Sequence, residues 1–173
     1  SVGGSHKPSS ASKPERDDES KLEASTMSDC KIEGTLLREY HGRDKKIRIS
    51  SEILKIADRA FYGNDYIESV IVGFSVKQIG DDAFSECYNL GLVSMPEGLE
   101  KIGDYTFAYS DRLSICGIPS TVKEIGRNAY EQTGIREVVI PKGVSVINEE
   151  TFRYCKSLKK ATVSEGVCTI CTS

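Results

Sequence analysis

The residues of this chain whose types could do chemistry are six cysteines, two histidines and, beyond residue 29, two pairs of adjacent carboxylates. Thiolates act as nucleophiles and metal ligands, and Cys168-Thr169-Ile170-Cys171 has the spacing of a redox dithiol or of half a zinc site. Dithiol chemistry needs a helix N-terminus in a βαβ setting, and a zinc site needs a second pair; the sequence offers neither. Asp81-Asp82 and Glu149-Glu150 could share acid and base roles. Carboxylates do that work in a cleft that perturbs them, and nothing around these pairs signals one. His6 lies in a polar stretch and His41 in a turn. The glycines of the later turns stand singly rather than in a phosphate-binding loop. The expectation is a chain that is not an enzyme, with no catalytic residue, no metal site and no cofactor.

An internal repeat positions these residues. Phe61, Phe84, Phe107, Tyr130 and Phe152 each follow a small residue, at intervals of 23, 23, 23 and 22. Ile56, Ile79, Ile102, Ile125 and Ile147 step by the same intervals, and Ile170 follows after 23. Two columns that slip together place a one-residue deletion between Tyr130 and Ile135. Within one unit, Ile67, Val70 and Val72 are the core-facing part of a short extended run. A turn ends it, and in the next three units that turn begins at Pro96, Pro119 and Pro141, where a missing N–H stops the strand. A second apolar pair follows (Val76 and Ile79, then Leu99 and Ile102, Val122 and Ile125, Val144 and Ile147). Gly80, Gly103 and Gly126 turn the chain again, and the Ala-aromatic pair then buries a ring in a tight helical or 3₁₀ turn. No unit can bury its apolar face alone. Stacked units can, with about 4.8 Å between neighbouring strands, which gives a repeat solenoid with a parallel β-ladder.

The stretch Ile79-Gly80-Asp81-Asp82-Ala83-Phe84-Ser85-Glu86-Cys87-Tyr88-Asn89-Leu90 resembles the signature IGxxAFxxCxxL of BspA-like leucine-rich repeats, and Val93, Met95 and Pro96 continue it. Ser110 and Thr133 stand in place of Cys, Tyr130 in place of Phe and Asn148 in place of Gly. The resemblance covers residues 44–173, read as five repeats plus a truncated sixth, and implies a surface-exposed or secreted protein that adheres to host proteins or cells.

The repeat also bears on the cysteines. Cys87 and Cys155 share a column three coils apart, beyond bonding reach, and Cys116 takes the place of Val70, Val93 and Val138 in the core. All three are expected to be free and packed as small hydrophobes. Asp81-Asp82 and Glu149-Glu150 occupy corresponding positions and are expected to favour the N-terminal end of the aromatic turn through its dipole. Residues 1–29, nearly devoid of apolar side chains and rich in Ser, Lys, Pro and acids, read as a disordered linker or stalk. Residues 30–43 read as a hairpin-like cap, with Thr35–Tyr40 extended, a turn at 41–44 and the first repeat strand from Lys45. The start at Ser1 and the stop at Ser173 before an aromatic turn suggest a mature form or a piece of a longer protein.

What remains for function is the outward face of the strand ladder. One column reads Arg48, Ile71, Ser94, Gly117, Val139, Thr162, and its neighbour Lys46, Ser69, Leu92, Ile115, Glu137, Lys160. Ile71, Leu92, Ile115 and Val139 would form an apolar strip flanked by Lys46, Arg48, Glu137 and Lys160, a face suited to a protein ligand such as an extracellular-matrix or cell-surface protein. The net charge of −3 argues against nucleic acid. No apolar run is long enough to insert in a membrane. The chain reads as a monomer at the cell surface or secreted; the alternative is a structural spacer or a cytoplasmic scaffold.

Overall fold

The computed structural model describes residues 28–148 and 150–166, and the backbone alone of 169–170. The chain begins with an antiparallel hairpin, β1 (Cys30–Glu33) and β2 (Leu36–Tyr40), closed at Gly34, whose φ of 59° suits a residue without Cβ. The later coils give short strands to two faces, except that the coil of Ile115 meets the first face by an isolated bridge alone. The first sheet holds β3 (Lys46–Arg48), β5 (Ser69–Ile71) and β7 (Leu92–Ser94), with β10 (Glu137–Ile140) pairing β12 (Lys160–Val163) further along. The second holds β4 (Lys55–Ile56), β6 (Gln78–Ile79), β8 (Lys101–Ile102) and β9 (Glu124–Ile125), then β11 (Val146–Ile147) paired with β13 (Thr169–Ile170). The pairing between repeat strands is parallel and joins like to like: Ile47, Val70 and Val93 in the first sheet, Ile56, Ile79, Ile102 and Ile125 in the second. This is the expected solenoid of stacked columns.

The turn at 41–44 does not join paired strands. β2 pairs in parallel with β4 in the second sheet, whereas β3 opens the first sheet, so the hairpin partner of β2 is β1 and not the first repeat strand. Through this pairing Leu37 and Tyr40 become part of the core. Tyr40 starts the aromatic stack: ring centroids follow at 5.2 Å to Phe61, then 4.7, 5.7, 5.2 and 5.5 Å to Phe84, Phe107, Tyr130 and Phe152. Such spacings are those of attractive ring pairs.

The tight turn around each aromatic is a run of linked β-turns, not a helical or 3₁₀ segment. In the first coil the N–H groups of Ala60, Tyr62 and Asn64 donate three residues back, to Ala57, Arg59 and Phe61. The intervening N–H groups of Arg59, Phe61 and Gly63 donate to the next coil, to the carbonyls of Asp81, Ala83 and Ser85. Asp82, Phe84 and Glu86 repeat this toward Asp104, Thr106 and Ala108. Two residues per coil hold left-handed φ between 52° and 66°: Arg59, Asp82, Tyr105, Asn128 and Glu150 in one column, and Gly63, Glu86, Tyr109, Gln132 and Tyr154 in the other. A left-handed residue interrupts helical hydrogen bonding and turns its N–H toward the neighbouring coil.

Both strand ladders are interrupted across the 22-residue unit. Leu92 and Ile115 form an isolated bridge, and among the described residues no strand of the fourth coil, that of Ile115, joins β10. In the second sheet β9 and β11 belong to separate ladders. One residue fewer shortens a coil by about 3.3 Å of chain, so the strands on either side cannot keep register. The turn side stays continuous, with Tyr130 N–H bonded to Thr151 O at 2.9 Å and Gln132 N–H to Arg153 O at 2.8 Å.

Candidate binding face

The reactive residues serve the stack. Cys87 and Cys116 are buried and Cys30 and Cys155 half-buried, and Cys87, Cys116 and Cys155 form no disulfide. Burial pushes the thiols of Cys87 and Cys116 up to about 12 and that of Cys30 to about 11, far from thiolate chemistry. The Cys87 column supplies a small hydrogen-bond donor to the coil before it. Cys87 Sγ donates to Phe61 O at 3.1 Å, and one coil on Ser110 Oγ donates to Phe84 O at 2.8 Å. Cys155 Sγ does the same to Tyr130 O at 2.9 Å, so Ser for Cys keeps the donor beneath the carbonyl of the preceding ring residue. Thr133, at the deletion, instead donates to its own Tyr130 O. Ser110 Oγ also accepts Cys87 N–H at 3.1 Å. Ser110→Ala should therefore cost about 1–3 kcal/mol by orphaning two buried backbone groups, while Ser110→Cys should cost clearly less. Urea unfolding followed by circular dichroism checks both; equal losses would remove the donor role. Cys168 and Cys171, and with them the CxxC, lie outside the described residues, as does His6.

The carboxylate pairs do not act on a helix dipole, because no helix is there. Asp81 Oδ1 accepts Asp104 N–H at 2.8 Å, as Asp58 Oδ1 accepts Asp81 N–H at 3.0 Å and Asp104 Oδ1 accepts Arg127 N–H at 2.8 Å. Asp81, the first residue of its pair, thus ties its coil to the next, as Asp58 and Asp104 do in the same column. Asp82 is half-buried, and desolvation raises its carboxyl above the ordinary range, with Asp81 and Glu86 adding to the rise. Glu149 lies outside the described residues; Glu150 pairs with Arg153 at 2.8 Å. His41 is exposed and meets Glu39 at 2.9 Å. Among the described residues no group of three His, Cys, Asp or Glu is placed to hold a metal ion, and no helix is long and apolar enough to cross a membrane.

The outward strand columns are brought side by side. Register sets Lys46 beside Ser69 beside Leu92, and Arg48 beside Ile71 beside Ser94. Leu92 bridges Ile115, Glu137 stands beside Lys160 and Val139 beside Thr162. Ile115, Val139 and Ile71 are 60%, 56% and 39% exposed, and Leu92 is half-buried. The alternate residues Ile47, Val70, Val93 and Val138 are buried. These outward apolar residues are stepped rather than in one row, because the ladder breaks between Ile115 and Val139. Beside the step, Val139, Ile118 and Pro141 line a groove of about 480 Å³ whose rim carries Glu97, Ser120 and Lys142. The strip also has a member that sequence reasoning missed. Phe74, 73% exposed, follows Ile71 by three residues at the turn where later coils carry Glu97, Ser120 and Lys142. An aromatic in a column of polar turn residues was the available signal.

Comparison with curated proteins finds no match. Among solved structures, the chain resembles a leucine-rich cell surface protein from Faecalibacterium prausnitzii, with 27% identity and a TM-score of 0.69 over 82% of this chain and 44% of that one. A leucine-rich repeat protein from Bacteroides ovatus shares 28% identity at a TM-score of 0.66, over 76% of this chain and 38% of that one. The pneumococcal vaccine antigen PcpA shares the fold, with a TM-score of 0.71 at 21% identity over 77% of this chain and 35% of that one. The chain thus spans less than half the length of these neighbours. Residues 40–171 match six copies of the BspA type leucine rich repeat region, a span that starts at the Tyr40 of the aromatic stack, and the chain belongs to that family.

Proposed function

We propose that the outer face of the first sheet is a protein-binding surface and that the chain is an adhesion module of a cell-surface protein. One observation carries the reading: Ile71, Ile115 and Val139 stand exposed on a sheet whose inward positions are already filled. Soluble proteins seldom keep contiguous apolar surface in water without a use for it. The Faecalibacterium neighbour is described as a cell surface protein, which supports that location. Burial of Cys87 and Cys116 shields both thiols from oxidation, so these two are compatible with an oxidising exterior.

The test is a binding screen of the 173-residue chain against extracellular-matrix proteins and host-cell surfaces, beside the variant Ile71→Ala/Ile115→Ala. Saturable binding should weaken at least tenfold in the variant, about 1.4 kcal/mol, while its urea midpoint stays close to that of the parent. Binding that survives the double change would remove the face from the proposal. A screen with no binding at all would favour a spacer that carries function elsewhere in a longer chain.

A further inference from the structure

We infer that the partner of the strand face is an acidic protein segment with an apolar centre, bound in extended form across the strands; this rests on the strand-face reading above. The chain as a whole is formally −3, yet its charge is sorted by side. Across the twelve outward positions of the two strand columns stand Lys46, Arg48 and Lys160 against the single carboxylate Glu137, a balance of three minus one, or +2. Arg136 and Lys159, both exposed, border the same end as Lys160. Asp58, Asp81 and Asp104 bond successive coils on the turns, where Asp82 and Glu86 crowd each other, while Glu68, beside the strand face, is paired with Lys45 at 2.8 Å. The cations lie at the two ends of the stack, and the apolar residues Ile71, Leu92, Ile115 and Val139 lie between them.

This order dictates the ligand. Lys46 and Lys160 stand five coil steps apart, about 24 Å, which an extended chain spans in roughly seven residues. A complementary segment places acids near both ends and apolar side chains between, so that opposite charges steer approach and apolar contact supplies the hold. A purely anionic polysaccharide meets the ends and leaves the centre uncovered.

The experiment is fluorescence anisotropy with the 173-residue chain and labelled peptides in which three glutamates flank Leu-Val-Phe-Ile on each side. Matched peptides replace the flanks by lysine or the centre by serine. The glutamate-flanked apolar peptide should bind saturably and weaken at least tenfold between 50 and 500 mM salt, as estimated from screening of exposed charges. It should weaken similarly in Lys46→Glu/Lys160→Glu, whose exposed positions leave folding intact by circular dichroism. The lysine-flanked and serine-centred peptides should bind at least tenfold more weakly. Equal binding of the lysine-flanked peptide, or full competition by heparin, would overturn the acidic partner. Loss on Ile71→Ala/Ile115→Ala with no effect of Lys46→Glu/Lys160→Glu would overturn it as well and leave the strand-face reading standing. Peptide binding indifferent to both variants would remove the face itself.

Discussion

Phe84→Ala is expected to cost about 3–5 kcal/mol, the range for emptying a closely packed aromatic site. Phe84 is fully buried and has ring neighbours on both sides, Phe61 at 4.7 Å and Phe107 at 5.7 Å, with interplanar angles of 13° and 12°. Removing it deletes two ring pairs as well as the buried area, and the coils above and below are fixed by turn hydrogen bonds that limit collapse into the space. A domain of this size is held by roughly 5–15 kcal/mol in total, so the variant should unfold at a much lower urea concentration. Phe152→Ala is the internal comparison. Phe152 is half-buried and has Tyr130 as its described ring neighbour, so its loss should cost clearly less. Phe84→Leu keeps most of the volume but loses both ring pairs, about 0.5–1.5 kcal/mol each, and should cost less than Phe84→Ala. Urea titration followed by circular dichroism measures all three. A cost below about 1 kcal/mol for Phe84→Ala, or equal costs for Phe84 and Phe152, would show that the aromatic column follows the stack rather than holding it together.

The Ile and aromatic columns were legible because stacked coils demand the same residue type at a fixed interval, and a periodic constraint leaves a periodic sequence. Tyr40 escaped this reading. It lies 21 residues before Phe61 in a segment without the small residue that precedes each of the other rings, yet its ring stacks on Phe61. The left-handed columns were illegible for a different reason. Arg59, Asp82, Tyr105, Asn128 and Glu150 share a conformation imposed by hydrogen bonds to the next coil, not by any shared side-chain property. A column that alternates between acid, aromatic and base looks like surface variation. The deletion near Gly134 was visible as a spacing, but its consequence was not. Whether 22 residues would be absorbed in a turn or would step the strands depends on which hydrogen bonds yield, and here the strands yield while the turn ladder holds. The outward strip suffers the same limit: alternation marks Ile71, Leu92, Ile115 and Val139 as outward-facing, but the step that separates Ile115 from Val139 is a property of the backbone.

Gly103→Ala is expected to cost about 3 kcal/mol, the upper end for forcing one carbon into a filled site. The reason is a close approach between coils. A Cβ at Gly103 would lie 2.7 Å from the backbone N of Asp81 and 2.7 Å from the carbonyl carbon of Gly80, as well as against the Asp81 carboxylate. The carboxylate could swing aside, with loss of its bond to Asp104 N–H. The two backbone atoms cannot, because Gly103 N–H donates to Ile79 O at 2.9 Å and holds the strands together there. Asp81→Ala combined with Gly103→Ala should therefore recover only a minor part of the loss. Gly117→Ala, where a Cβ meets nothing within 4 Å, should change stability by less than about 0.5 kcal/mol. The sequence contains its own version of the experiment. Gly80, Gly103 and Gly126 each stand over an aspartate of the preceding coil, Asp58, Asp81 and Asp104, whereas in the next coil Asn148 takes the glycine's column and Arg127 the aspartate's, where the strand ladder is interrupted. There Asn148 Nδ2 donates to Ile125 O at 2.7 Å, so a side chain makes the contact to the carbonyl that the glycine backbone N–H makes in the coils before it. If close approach is the cause, Asn148→Ala should lose that one bond, about 1 kcal/mol, and Gly103→Ala should lose several times more. Equal losses at the two positions would mean that the glycines are kept for a reason other than the spacing of the coils.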